Sequence, residues 1–496
     1  MLLAALEQDH VRYCHWKGDP RGIAAALAGG ADLDLLIDRA DAAVAAATLA
    51  RCGFKRFLAA PPLHHPDVHD YLTLDPETSR LLHCHVHHRL IVGQPYLKDY
   101  RLPWEERLLA TRRPDASGTL YVPEPALELV FLWTRCAARL RVRDLAPAGL
   151  RRPWLTQSAA REHAWLCQRI DPATAVARCR ELLGEGATAA FERLLAGEVT
   201  LAKLLGFRRA ALRSLRPWRQ HGGLRGGLLR WRRELTTLVT TLTRPPLDRT
   251  GPHRRTRISG GVMVAFLGSD GSGKSTLTRE LGAILGGKLD VFPVYFGSGD
   301  GPGSLLRWPL RVARRLGSRL GLLPTGTGLP GPDPLPDNGA SRRLRPWRSV
   351  GLVLWALALA VEKRRKLRAA WRARHHGMIV LADRYPQAQI PGFTDGPLLG
   401  HLARHRFGAL RALARFERAP YEWAARHPPD LIVKLLVSDA TATERKPAHG
   451  PPEELRRRIA AIPALVFAGA TIVAIDANRP WAEVRGAVER AVWRQI

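Results

Sequence analysis

Gly268-Ser269-Asp270-Gly271-Ser272-Gly273-Lys274-Ser275-Thr276 is the stretch on which the reading of this chain turns. The apolar run Val262 to Leu267 leads into it, and Leu277-Thr278-Arg279-Glu280-Leu281 follows with a helical pattern. A strand, a Gly-rich turn and a helix in that order make a cradle for phosphate. Glycines carry no Cβ, so the backbone can curl until successive N–H groups point inward. The helix N-terminus adds its partial positive charge. In such a cradle Lys274 is placed to bridge the β- and γ-phosphates of a nucleotide, and the Ser275 hydroxyl to ligate Mg²⁺.

Four more runs of similar texture follow at long intervals: Val291 to Phe296, Met378 to Ala382, Leu431 to Val437 and Thr471 to Ile475. Each is nearly continuous in apolar residues, as strands buried on both faces of a parallel sheet are. Helical stretches between them imply βαβ crossovers. The pattern predicts an α/β fold, a P-loop NTPase domain with a five-stranded parallel sheet over residues 260–496. Residues 299–342, rich in Gly and Pro, break the rhythm and read as a mobile insertion.

The loop resembles the GxDGxGKST loop of thymidylate kinases. Asp383-Arg384-Tyr385 closes the third strand and looks like that family's DRY motif. Asp430 to Leu435 resembles the strand leading to the lid, and Ile475-Asp476-Ala477 the last strand, near the adenine. Strands 1 and 3 are neighbours in such sheets. Asp383 is then expected beside the loop, where a carboxylate can hold the Mg²⁺ water shell or orient the acceptor. Arg384 can clamp an acceptor phosphate with its planar fork. The resemblance implies that Asp270 contacts a sugar hydroxyl of the acceptor. The loop itself has no Arg, so a lid must supply the cation that neutralises the transferring group. Arg445 and Lys446 are the first candidates, then Arg456, Arg457 and Arg458. One departure matters. After Tyr385 the chain reads Pro386-Gln387-Ala388-Gln389-Ile390-Pro391, where thymidylate kinases carry a Ser-containing stretch that packs on thymine.

Upstream, the Pro-rich, basic stretch 244–259 reads as a linker, residues 116–243 as a helical region and residues 1–115 as an α+β domain. The last holds Gly29-Gly30-Ala31-Asp32-Leu33-Asp34. Two carboxylates one residue apart on a strand share a face and can grip one metal site. The pattern resembles the GG/DxD signature of polymerase-β-like nucleotidyltransferases, which implies Mg²⁺ on Asp32 and Asp34. The third carboxylate of that superfamily has no counterpart on the run Arg80 to His88, where His83, His85 and His87 alternate onto one face. His85 stands in for it, or the site is degenerate, or the imidazoles take a transition metal.

The chain carries a formal net charge of +31 with an ordinary 46% hydrophobic content, which excludes a disordered or fibrous class. Arg, Ala, Gly and Pro are abundant together, as in a GC-rich genome, so the charge is not taken as a sign of a stable nucleic-acid partner. The six cysteines form no CxxC pair, and neither a disulfide framework nor a zinc ribbon is expected. Met1 to Glu7 has no basic n-region. The longest apolar run, Val350 to Val361, is too short for a span of ~20 residues. It continues into Glu362-Lys363-Arg364-Arg365-Lys366, read as a buried helix with a basic end. A cytoplasmic location follows. Arg216-Pro217-Trp218-Arg219 and Arg230-Trp231-Arg232-Arg233 read as helix faces with Trp packed inward and Arg outward, and secondarily as weak contacts to anionic membrane.

These readings lead to one expected activity, ATP- and Mg²⁺-dependent phosphoryl transfer to a nucleoside monophosphate, dTMP to dTDP first. Two alternatives stand beside it: a sugar or other non-nucleotide acceptor in surface-glycan synthesis, and a nucleotide-responsive regulatory ATPase with a lost acceptor site. The partner is a nucleotide or phosphorylated small molecule, and the thymidylate-kinase resemblance implies a homodimer.

Overall fold

A computed structural model describes residues 1–115, 117–141, 155–243, 251–297, 346–390, 396–445 and 452–496. The insertion expected at 299–342, and Lys446, lie outside the described residues. The chain divides into two compact units, Met1–Asp75 with Arg80–Thr243, and Pro76–Ser79 with Arg244–Ile496.

The first unit contains a mixed sheet. Strands β1 (Tyr13–His15), β2 (Asp32–Ile37), β3 (Lys55–Ala59), β4 (Val68–Asp75) and β5 (Arg80–His87) lie in the order β1-β2-β5-β4-β3. β2 runs parallel to β5, while β4 runs antiparallel to it. Helix α1 (Pro20–Leu27) precedes β2, its N-terminus capped by Asp19, which accepts from the Gly22 N–H. It stops where Gly29 takes φ +75 and Gly30 donates back to the Ala25 carbonyl. That is a left-handed helix terminus of the kind glycine supplies. The Gly29-Gly30 pair is accounted for by this turn.

Helices α2 (Pro125–Arg139), α3 (Leu201–Ser214) and α4 (Gly223–Thr243) belong to the same unit. α2 is apolar around nearly its whole circumference and is buried accordingly. Its Phe131 and Trp133 share one core with Trp16 and Trp104 from the N-terminal region and with Phe191 and Phe207 from the later helices. The basic aromatic segments depart from expectation in their tryptophans. Trp218 and Trp231 are exposed, as are Arg216, Arg219 and Arg232, while Arg230 and Arg233 are half-buried. Arg219 pairs with Asp99, Arg230 reaches Gln94 and Arg233 donates to the Tyr96 carbonyl. Polar groups of the 94–99 loop need donors, and the long arginines supply them.

The second unit is built on five parallel strands. They are β6 (Val262–Gly268), β7 (Val291–Tyr295), β8 (Ile379–Asp383), β9 (Leu431–Leu436) and β10 (Thr471–Asp476). Their order is β7-β8-β6-β9-β10. Each strand lies within one residue of its expected bounds. β6, β8 and all but the last residue of β9 are buried, as their unbroken apolar character requires. Helices α5 (Lys274–Gly286), α6 (Pro346–His375), α7 (Gly408–Arg426), α8 (Asp439–Arg445), α9 (Pro452–Ala464) and α10 (Trp481–Gln495) complete the unit. Within the stretch read as linker, Arg255–Arg257 forms a short strand. The Arg255 carbonyl accepts from Asp290 N–H, so that segment is part of the unit.

The run Val350 to Val361 lies in α6, where Ala356, Leu359 and Ala360 are buried. Its basic continuation is only half outward. Arg364 and Arg365 are exposed, but Lys363 and Lys366 are buried on the same face as Leu359. Lys366 pairs with Glu362 at 2.6 Å and donates to the Tyr295 carbonyl at the end of β7. Among the described residues no helix is long and apolar enough to cross a membrane, and the cysteines are free.

Candidate functional site

β6 delivers the chain to the Gly-rich turn at the carboxyl edge of the sheet. Gly271 and Gly273 take φ +82 and +86. A Cβ on Gly271 would come within 2.5 Å of the Ala442 carbonyl oxygen of α8, so only glycine lets that helix close on the turn. α5 begins at Lys274 with Gly273 as its cap and no side chain bonding to its first amides. Those N–H groups stay open to an anion. The Lys274 side chain is buried, its Nζ donating to the Ser269 carbonyl at 3.1 Å, with Asp270 Oδ1 at 3.5 Å. The hydroxyls of Ser269 and Ser272 are buried without a hydrogen-bond partner among the described residues. Thr276 continues α5 beyond Ser275.

β8 pairs with β6 so that Asp383 lies opposite Phe266. Asp383 thereby reaches the turn, and its Oδ2 accepts from the Ser275 hydroxyl at 2.5 Å. Its Oδ1 is buried with no hydrogen-bond partner among the described residues. An orphaned carboxylate oxygen beside a hydroxyl is the oxygen donor set that suits Mg²⁺. The next residue, Arg384, takes φ +70, a conformation that non-glycine residues avoid. Strain of this kind is held in place by its surroundings. Here the Arg384 N–H donates to the Phe266 carbonyl, and its guanidinium lies 2.9 Å from Asp270 Oδ1.

Asp270 is the meeting point of this edge. Arg384 and Lys274 approach one oxygen, and Arg458 of α9 approaches the other at 3.4 Å. Of the candidate cations among the described residues, Arg445 donates to the Ala477 carbonyl, Arg456 pairs with Asp439, and Arg458 is turned to the loop. Past Tyr385, Gln387 is buried and bonds through both ends of its amide to the Ile390 backbone. That stretch closes on itself. Lys366, read from the sequence as part of a basic helix end, brings a cation to the end of β7.

The first unit gathers a second cluster. Parallel register puts Asp32 opposite His83 and Asp34 opposite His85, and antiparallel register puts Asp70 of β4 opposite His85 on its other side. So an acid does stand beside the histidines, one strand further than expected. His83 lies between Asp32 and Asp70, with Nδ1 and Nε2 each 2.8 Å from a carboxylate oxygen. Asp34 Oδ1 is met by Lys17 Nζ at 2.7 Å, His85 Nδ1 at 3.1 Å and His87 Nε2 at 3.3 Å. Burial opposes ionisation of Asp34, but Lys17 and the two histidines outweigh it and hold the carboxyl well below its usual range. Burial also holds His85 and His87 below the usual imidazole value and pushes Lys98 nearby down to about 8. Asp70 and Lys17 were the residues missed. The available signal was an acid in the strand facing a His-rich strand across a short turn.

No family model matches the chain. Among curated proteins it is similar to the uncharacterized ATP-binding protein YghS of Escherichia coli (strain K12). The two are 31% identical over 233 residues, 46% of this chain and 92% of that protein. It is likewise similar to the uncharacterized ATP-binding protein YghR of Escherichia coli (strain K12), 30% identical over 240 residues. That match covers 46% of this chain and 86% of YghR.

Proposed function

The chain belongs to the family of the ATP-binding proteins YghS and YghR, and from that premise we propose that its second unit is an ATP- and Mg²⁺-dependent phosphotransferase. The observation that carries the reading is the Ser275–Asp383 pair at the mouth of the Gly-rich turn, with Asp383 Oδ1 unpartnered beside it. ATP phosphates fit the turn from Gly268 to Thr276, where the first amides of α5 lack a side-chain cap. Ser275 and Asp383 would hold Mg²⁺, which when bound neutralises charge on the phosphates. Lys274 leaves the Ser269 carbonyl for the phosphate oxygens. An acceptor oxygen attacks the γ-phosphorus in line, and the bond to the β–γ bridging oxygen breaks to release ADP. Arg384 orients the acceptor phosphate, and Arg458 supplies lid charge, with Arg445 behind it.

The acceptor proposed first is a nucleoside monophosphate, with dTMP leading because of the loop and the Asp383-Arg384-Tyr385 motif. A second reading, a phosphorylated sugar or other non-nucleotide acceptor, is favoured by the self-closed turn from Gln387 to Ile390. The domain assignment follows the same reasoning, with a kinase unit over 260–496 and a transferase-like sheet with helices before it.

The test is transfer of labelled phosphate from ATP to a panel of nucleoside monophosphates and sugar phosphates, with and without Mg²⁺. Transfer to dTMP that disappears in Lys274→Ala is expected. Transfer to sugar phosphates alone would replace the first acceptor by the second. No transfer to any acceptor, with ATP still bound, would sink the kinase reading.

A further inference from the structure

We infer that the first unit holds one first-row divalent transition ion on Asp34, His85 and His87, a site separate from the phosphotransferase centre. Three ligand atoms, one from each residue, lie within 4.8 Å of one another. His85 Nδ1 and His87 Nε2 stand 3.1 and 3.3 Å from the same oxygen of Asp34. Ligands held about 2.1 Å from a common ion sit roughly 3.0–3.5 Å apart at ordinary coordination angles. Each histidine already stands at that spacing from Asp34, and the two rings' ligand atoms lie within 4.8 Å of each other, so a small ion enters by a modest closing of the rings.

The sheet fixes this convergence. His85 and His87 project from the same face of β5 two residues apart, and parallel register with β2 puts Asp34 opposite His85. His87 and Asp34 are buried, and His85 is largely so. The surroundings have the form that metal sites take around their first ligands. The far nitrogen of His85 points to Asp70, with Nε2 and Oδ1 3.8 Å apart. A carboxylate behind a ligating imidazole fixes the ring's tautomer and orientation. When an ion binds Nδ1, the ring proton sits on Nε2, on the side that faces the Asp70 carboxylate. His87 Nδ1 is buried with no hydrogen-bond partner among the described residues. The ring packs edge-on against Trp16, which holds its plane.

The donor set decides the class of ion. Two imidazoles and one carboxylate suit zinc, cobalt, iron or manganese, whereas Mg²⁺ prefers oxygen and water. Three protein ligands leave positions open, as catalytic metal sites do and closed structural sites do not. Lys17 stands at the same carboxylate oxygen, its ammonium 2.7 Å from Asp34 Oδ1. An ion displaces this contact and leaves Lys17 to meet an anionic group bound at the open positions.

The full chain, stripped with a chelator, is titrated with Co²⁺ in excess Mg²⁺, and the visible absorption of imidazole-ligated cobalt is recorded. Saturation at one equivalent is expected, lost in His85→Asn/His87→Asn and retained in Ser275→Ala, which touches only the other centre. Asp70→Asn, a gentler change, is expected to weaken binding roughly 10- to 100-fold. Three results would each overturn the assignment: no saturable signal from the unsubstituted chain, displacement of cobalt by Mg²⁺, or unchanged binding in a folded double-histidine variant. The kinase reading plays no part in any of them.

Discussion

The Ser275 hydroxyl donates to Asp383 Oδ2 across 2.5 Å, joining the first turn of one helix to the end of the neighbouring strand. Ser275 and Asp383 lie far apart in the chain and meet only because β6 and β8 are adjacent in the sheet. If both act on one Mg²⁺, their effects overlap. Asp383→Asn is expected to lower kcat roughly 10²- to 10³-fold, the usual loss when one charge-stabilising group is removed. Ser275→Ala should also lower kcat, and the double variant should lose little beyond the worse single change. Steady-state rates of the three variants across a Mg²⁺ series check this. Fully additive losses would mean that the residues serve different steps.

Arg458, not Arg445, faces the Gly-rich turn. It approaches Asp270 Oδ2 at 3.4 Å, whereas Arg445 is held on the Ala477 carbonyl. Arg458→Ala is therefore expected to reduce kcat by at least about tenfold more than Arg445→Ala, a difference of roughly 1.4 kcal/mol in the barrier. Both variants should keep nucleotide affinity, because the amides of the turn and Lys274 carry most of it. Parallel measurement of kcat and ATP affinity separates the two effects. Equal losses would leave the lid without a distinguished cation.

How far the sequence carried can be seen residue by residue. The five parallel strands were legible because each is a short, nearly unbroken apolar run; burial on both faces imposes that pattern on β6, β8 and β9, whereas β7 is partly buried and β10 largely exposed. The turn and the Asp383-Arg384 pair were legible because local chemistry sits at fixed offsets from a strand end. Asp70 was not. Its role depends on the antiparallel register of β4 against β5, which one sequence does not disclose. The reach of Arg458 depends on where α9 packs. The tryptophans and arginines near Trp218 and Trp231 show a further limit. Helical period tells which residues share a face, but not which face meets the protein.

The histidine-rich sheet makes the first unit sensitive to acid. Burial pushes His15 down to about 4, and His69 likewise, while His65 falls to about 3. In the unfolded chain these imidazoles take up a proton near pH 6.5. Between these values the unfolded state binds more protons than the folded one, so stability falls as pH falls. It is fully present above the unfolded value and lost progressively toward pH 4. For His15 alone the loss is roughly 3 kcal/mol. Thermal unfolding of the full chain at pH 7 and pH 5 is expected to show the drop. His15→Gln, which cannot titrate, should flatten it. A transition temperature independent of pH over that range would contradict the burial of these rings.

Lys17 and a metal ion compete for the same oxygen of Asp34. The ammonium lies 2.7 Å from Oδ1, beside His85 Nδ1 and His87 Nε2. Removing that charge takes away the contact an ion has to displace and the repulsion it has to overcome on entry. Lys17→Met keeps the length of the stem and drops the cation, which lies 4.7 Å from the centre of the Trp16 ring. Co²⁺ is then expected to bind several-fold more tightly to Lys17→Met than to the unsubstituted chain, and the gain should shrink as salt rises. Titrations at low and high ionic strength read both effects. Weaker binding in the variant would assign Lys17 to holding the site together rather than to competing for it.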